Sequence, residues 1–390
     1  MPYIELHPMD EQTQREHYLL ELGANEPEVE ELLRYTANRF DHSLLPPSIE
    51  LPLVDEPFAA VWDGYIREAE YGGVYQMLQQ KLVQLSFPVN DGISQTEAYR
   101  AVTLKGEDAK GFETATGNIL HQPDRIELFL HPTAAGRIPV LVIPDRSDFV
   151  CVVQALSYRN EPKVVPDSMG ACMIKGYNNW DRINRYKTRW LEQHPECDWN
   201  LEFIDFKEHH ERYRDRLIVL SDGPYSGVNA SAMGLTEMEW QEKSLIIRLE
   251  HECTHYMTLR LLGSMQNNLF DELLADYMGL MAAFGEYSGA RFLTFMGIAP
   301  SPEYPSGGRM ENYRGNPPLS DGAFLILTRI VADAAANLEK IYRLDGVSGD
   351  DGWSRMRFLL QLSLMTLDEL SRPDALQKFS VKEQPLSHSD

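Results

Sequence analysis

The rhythm of apolar and polar positions along this chain changes twice. Up to about residue 95, apolar residues recur at helical spacing: Leu32, Leu33 and Phe40 in one run, then Val61, Tyr65, Val74, Met77, Leu78, Leu82 and Leu85 in another. Asn25 reads as a helix cap with Pro27 in the first turn, and Gly72-Gly73 interrupts the later run. A Pro-rich connector from Leu45 through Pro46, Pro47 and Pro52 to Pro57 separates the two. From about 96 to 235 the pattern shortens to β-prone runs between turn residues, and 126–130, 138–143, 149–153 and 217–220 are the expected strands. Residues 166–171 and 176–180 read as loops, and 182–191 as a solvated amphipathic helix. Beyond 236 the helical rhythm returns over 244–262, 270–279, 323–341 and 353–370. A loop at 300–318 and a turn at Gly346-Val347-Ser348-Gly349 interrupt it, and residues from about 374 onward are expected to be poorly ordered. The expected architecture is α+β. A helical N-terminal region (1–95) is followed by a β-rich region with a mixed or antiparallel sheet (96–235) and a helical C-terminal lobe (236–390).

Composition narrows the classes. The 390 residues, 43% hydrophobic and 24% charged, suffice for a large core without staples. No stretch approaches the roughly 20 apolar residues of a membrane span. The opening Met1-Pro2-Tyr3-Ile4-Glu5 lacks the basic and apolar regions of a secretory signal, so the expected compartment is the cytoplasm. Cys151, Cys172, Cys197 and Cys253 form no C-x-x-C pair, which argues against a disulfide framework or a thiolate zinc knuckle. A net charge of -23 repels phosphate backbones, so nucleic acid is not an expected partner. Neither a G-x-S-x-G elbow nor a phosphate-binding P-loop is present.

The chemistry concentrates in 245–287. Leu249, Cys253, Tyr256 and Met257 form an apolar stripe on a run without Pro or Gly until Gly263, and His251-Glu252-Cys253-Thr254-His255 lies within it. At a helical step of about 100° per residue, His251 and His255 sit one turn apart with Glu252 angularly next to both, so two imidazoles can share a zinc ion beside a carboxylate. A catalytic zinc takes a third protein ligand, and Glu272 is the candidate, on a helix capped by Asn268. Asp276 shares its face. Like charges at i and i+4 repel, so a cation or imidazole N–H is expected nearby, and Asp276 suits an outer role supporting a ligand histidine, His251 by preference.

H-E-x-x-H followed after 16 residues by Glu272-Leu273-Leu274-Ala275-Asp276 resembles the gluzincin zinc metallopeptidases, the thermolysin-like group, over residues 241–287. Asp271 stands where that group carries Asn. The metzincin pattern would need Gly at 258 and His at 261, where this chain has Thr258 and Leu261. The resemblance implies that His251, His255 and Glu272 bind Zn2+, that Glu252 is the general base, and that Asp276 supports a histidine. It also implies a peptide or protein substrate, cleaved by a zinc-activated water. An oxyanion donor is expected too: Tyr313 is the candidate, with Arg314, Tyr277 and Tyr287 as alternatives. Two other readings stay open, a non-proteolytic zinc scaffold that binds a partner and a zinc hydrolase of a non-peptide amide or ester.

Overall fold

The computed structural model describes residues 10–45, 49–265, 268–298, 308–345 and 352–382. The N-terminal leader reading, the 46–48 part of the Pro-rich connector, the 300–307 part of the 300–318 loop, the 346–349 turn and the last eight residues lie outside them. Within the described residues the protein is α+β, mostly helical with one small mixed sheet. Two compact units share the chain: residues 1–49, 228–236 and 254–390 in one, 50–227 and 237–253 in the other.

The second unit holds the sheet. Strands β1 (Glu127–His131), β2 (Ile138–Val142), β3 (Ala171–Asn178) and β4 (Arg214–Leu220) lie in the order β1-β2-β4-β3. The β1/β2 and β3/β4 pairs are antiparallel, whereas β2 and β4 are parallel. Every residue of β2 is buried, as a continuous apolar run in a central strand should be. Pro139 is tolerated there because β2 joins β4 only from Val140 onward, so the missing N–H falls outside that ladder.

Two expectations fail in this unit. Residues 149–153 form no strand but part of helix Arg146–Ser157. Phe149, Val152, Val153 and Leu156 are buried at helical spacing, and Asp145 caps the helix by accepting from Ser147 N and Asp148 N at 2.9 and 3.0 Å. Capping and periodicity together outweigh the β propensity of three valines. Residues 171 and 176–178, read as loop, belong to strand β3 (Ala171–Asn178); a bulge between Lys175 and Asn178, with Gly176 at φ +90°, absorbs the turn-forming residues. The 217–220 run is a strand as expected, the end of β4, which lies between β2 and the outer strand β3.

The first unit is helical. Asn25 and Glu28 close a reciprocal capping box on helix Glu26–Thr36. Helix Asp321–Asp345 buries Leu327, Ile330, Val331, Ala334, Leu338 and Ile341 on one stripe. The C-terminal expectation is corrected: residues 375–381 form helix Ala375–Val381, docked through Ala375 and Phe379. Lys378 and Lys382 on this side reach the buried Glu369 carboxylate at 3.3 and 2.7 Å. None of the described helices is long and apolar enough to cross a membrane.

Candidate metal centre

Helix Glu237–Leu262 carries the H-E-C-T-H motif and stops before Gly263, whose φ of +66° suits a helix C-terminus. The expected one-sided apolar stripe is only part of the picture, because residues 251–258 are buried all round. Polar groups on such a helix must find partners. Helix Leu269–Phe284 follows, with Asn268 accepting from Phe270 N and Asp271 N as expected. His251, His255 and Glu272 come together: one ligand atom from each lies within 4.8 Å of the others, and all three residues are buried. This cluster could hold a metal ion.

The surroundings fit that use. Metal-bound histidines keep the distal ring nitrogen occupied by an outer partner. His255 Nδ1 lies 3.0 Å from Asp271 Oδ2, while its Nε2 is 3.5 Å from Glu272 Oε1. His251 Nδ1 shares a 3.1 Å hydrogen bond with the Tyr225 hydroxyl, the tautomer deciding which atom donates. Tyr225 is itself aimed: its backbone N donates to Ser244 Oγ at 3.0 Å, and the Arg248 guanidinium lies 5.7 Å from its ring centre. Arg248 also donates to the carbonyls of Gly223 and Pro224, tying the 221–227 loop to the motif helix.

Charge completes the case. Glu252, Asp271, Glu272 and Asp276 are each no more than 6% exposed. The cation anticipated beside the Glu272/Asp276 pair is Arg309, which donates to Glu272 Oε2 at 2.5 Å and to Asp276 Oδ2 at 3.0 Å. Arg309 meets two of these carboxylates, and the His251/His255/Glu272 donor set beside them suits a dication. The imidazole of His255 feels the same field: burial disfavours its charged form, but Asp271 and then Glu272 outweigh burial and hold its pKa well above the usual histidine range.

Of the tyrosines considered, Tyr313 sits at the cluster, on the turn Arg309–Tyr313; burial and then Glu272 push its phenol well above the usual range. Tyr277 and Tyr287 are buried with ring centres 5.6 Å apart and pack in the helical core. Arg314 pairs with Glu311 and Asp321. Sequence reasoning did not assign Tyr225, Arg248 or Arg309, and saw Asp271 only as a departure from a pattern. The repulsive Glu272/Asp276 pair was the one available signal for Arg309. Burial raises the thiol pKa of Cys172 and of Cys253, with Glu252 adding to it at Cys172, so neither is poised as a thiolate nucleophile.

Fold and site together define an α+β protein with a buried two-histidine, one-carboxylate cluster on an H-E-x-x-H helix and its successor. The chain belongs to the Family of unknown function (DUF7005), whose model matches residues 17–374 and so includes every residue of the site. No curated protein and no solved structure matches it.

Proposed function

We propose that the protein is a zinc-dependent hydrolase, a gluzincin-like metallopeptidase acting on a peptide or protein. The observation that carries the reading is the buried His251/His255/Glu272 cluster with Glu252 inside the same motif. Two imidazoles and one carboxylate are a donor set that zinc takes in catalytic sites. Zinc held there would supply a Lewis acid for the scissile carbonyl and for the attacking water. Tyr225 and Asp271 fix the rings of His251 and His255, and Arg309 orients Glu272 and Asp276. Glu252 takes the proton from the attacking water and returns it to the leaving amine.

Substrate can add to the sheet at β3, an outer strand paired through one edge with β4. Cys172 at the start of β3 lies within electrostatic reach of Glu252, so an extended chain along this strand would pass the general base. Tyr313, beside Glu272, is the candidate donor to the developing oxyanion. All four cysteines are free thiols, in keeping with a reducing compartment such as the cytoplasm.

A peptide-library digest with metal analysis tests the reading. Glu252→Gln should keep its zinc and lose cleavage, and His251→Ala should lose both. A zinc-loaded wild type that cuts no peptide, amide or ester would instead favour a zinc scaffold that binds a partner.

A further inference from the structure

A second cleft lies within the first unit, behind the turn that carries Arg309 and Tyr313. Its volume is about 270 Å³, and its walls include Arg34, Tyr35, Arg39, Asn268, Asn312 and Asn316. That is just under the roughly 300 Å³ at which small-molecule pockets begin, and at about 30 Å³ per water it holds roughly nine water volumes. A compact ligand fits; a peptide does not.

The chemistry of the walls is unusual for this chain. With 59 acidic and 36 basic residues, an arginine here has many carboxylates to choose from. Yet Arg34 and Arg39, both exposed, make no ion pair or hydrogen bond with any described residue, although both line the same cleft. The cleft's carboxylate, Glu31, is already engaged, accepting from Ser320 N at 2.7 Å. Two arginines against one glutamate leave the cleft a net positive charge of one. Side-chain amides border it, and planar guanidinium groups match carboxylate and phosphate oxygens in a bidentate fork.

The floor is rigid. The Tyr35 hydroxyl donates to the Tyr313 carbonyl at 2.8 Å and accepts from Leu269 N at 3.2 Å, joining the turn to the start of the acidic helix. Gly315, at φ +87°, lets the following loop close on the Tyr35 ring, where a Cβ would stand 3.2 Å from it. A preformed concave site loses little ordering entropy on binding.

We propose that this cleft binds a compact anion bearing a carboxylate or phosphate group, held between Arg34 and Arg39. The proposal uses none of the metal-cluster residues and stands whether or not the hydrolase reading does. The test is calorimetric titration of the full chain with inorganic phosphate and, separately, with succinate, at constant ionic strength in chloride. Wild type should show saturable one-site binding of at least one probe, weakened at least about tenfold in the Arg34→Gln/Arg39→Gln double variant. Binding of phosphate alone identifies a phosphoryl ligand, and binding of succinate alone a carboxylate. If the double variant loses its far-UV circular dichroism, Arg34→Lys and Arg39→Lys replace it; each keeps the charge, removes the fork and should weaken binding severalfold. No saturable binding of either probe, or equal affinity in wild type and variants, overturns the proposal.

Discussion

Two of the regions of this molecule that bury carboxylates next to an arginine differ in what else the carboxylates meet. In the second unit, Asp215 is fully enclosed: Arg182 Nη1 donates to one carboxylate oxygen, while Trp62 Nε1 and Asn179 Nδ2 donate to the other at 2.9 and 2.7 Å. One acid meets one base, and the remaining lone pairs are met by neutral donors. At the motif helix, the His255 ring lies between Asp271 and Glu272, and Arg309 spans Glu272 and Asp276. A protein that only needed a stable core could have used the first solution in both places. The buried two-histidine, one-carboxylate cluster is what marks the second region as a place for a cation.

The largest expected effect breaks the closed network. Asp215→Asn leaves Arg182 buried without its counter-charge and should cost about 3–5 kcal/mol in urea unfolding. Glu272→Gln, measured with chelator present, relieves repulsion while Asp276 keeps Arg309 paired, so its cost should stay within about 1 kcal/mol. Equal losses at the two sites would erase the distinction. Metal removal comes next. Zinc at 100 times its dissociation constant should stabilise wild type by about 2.7 kcal/mol, seen as a fall in Tm on chelation, whereas His255→Ala should show no such fall.

Glu369 provides a third buried acid, closed by lysines, and sharpens the contrast through pH. Burial alone would raise its pKa; the contacts with Glu11 and Lys382 and the donated N–H of Thr366 hold it at about 2, against an ordinary 4.5. A depressed pKa means the stabilisation is complete above about 4.5 and is lost as pH falls from there toward 2. The gap in stability between wild type and Glu369→Gln should shrink over that window. A gap that does not change with pH would contradict the pairing. A modest effect is expected at Tyr225: Tyr225→Phe leaves the fold intact but frees the His251 ring, and zinc affinity should fall about tenfold.

The sequence disclosed what repeats and what is spaced. The helices with capping residues, such as the one opened by Asn25 and Glu28, were legible because periodicity and local hydrogen bonds agree. The H-E-x-x-H histidines and Glu272 were legible for the same reason, since one helix fixes the first pair and the next helix begins at a recognisable cap. Strand β3 was hidden by Gly176 and Asn178, which a bulge accommodates, and 149–153 looked like a strand because a buried helix face can be rich in valine. Tyr225 and Arg309 could not be assigned because they reach the site from 26 residues before His251 and 37 after Glu272. No local pattern encodes such a distance.

The central claim is that the His251/His255/Glu272 cluster holds zinc. Its most direct test is the zinc content of protein purified without a metal-affinity tag and dialysed against metal-free buffer, wild type beside His255→Ala. The account predicts one zinc per wild-type chain and essentially none in the variant. Zinc-free wild type that takes up none when it is supplied, or equal zinc in both proteins, would contradict it.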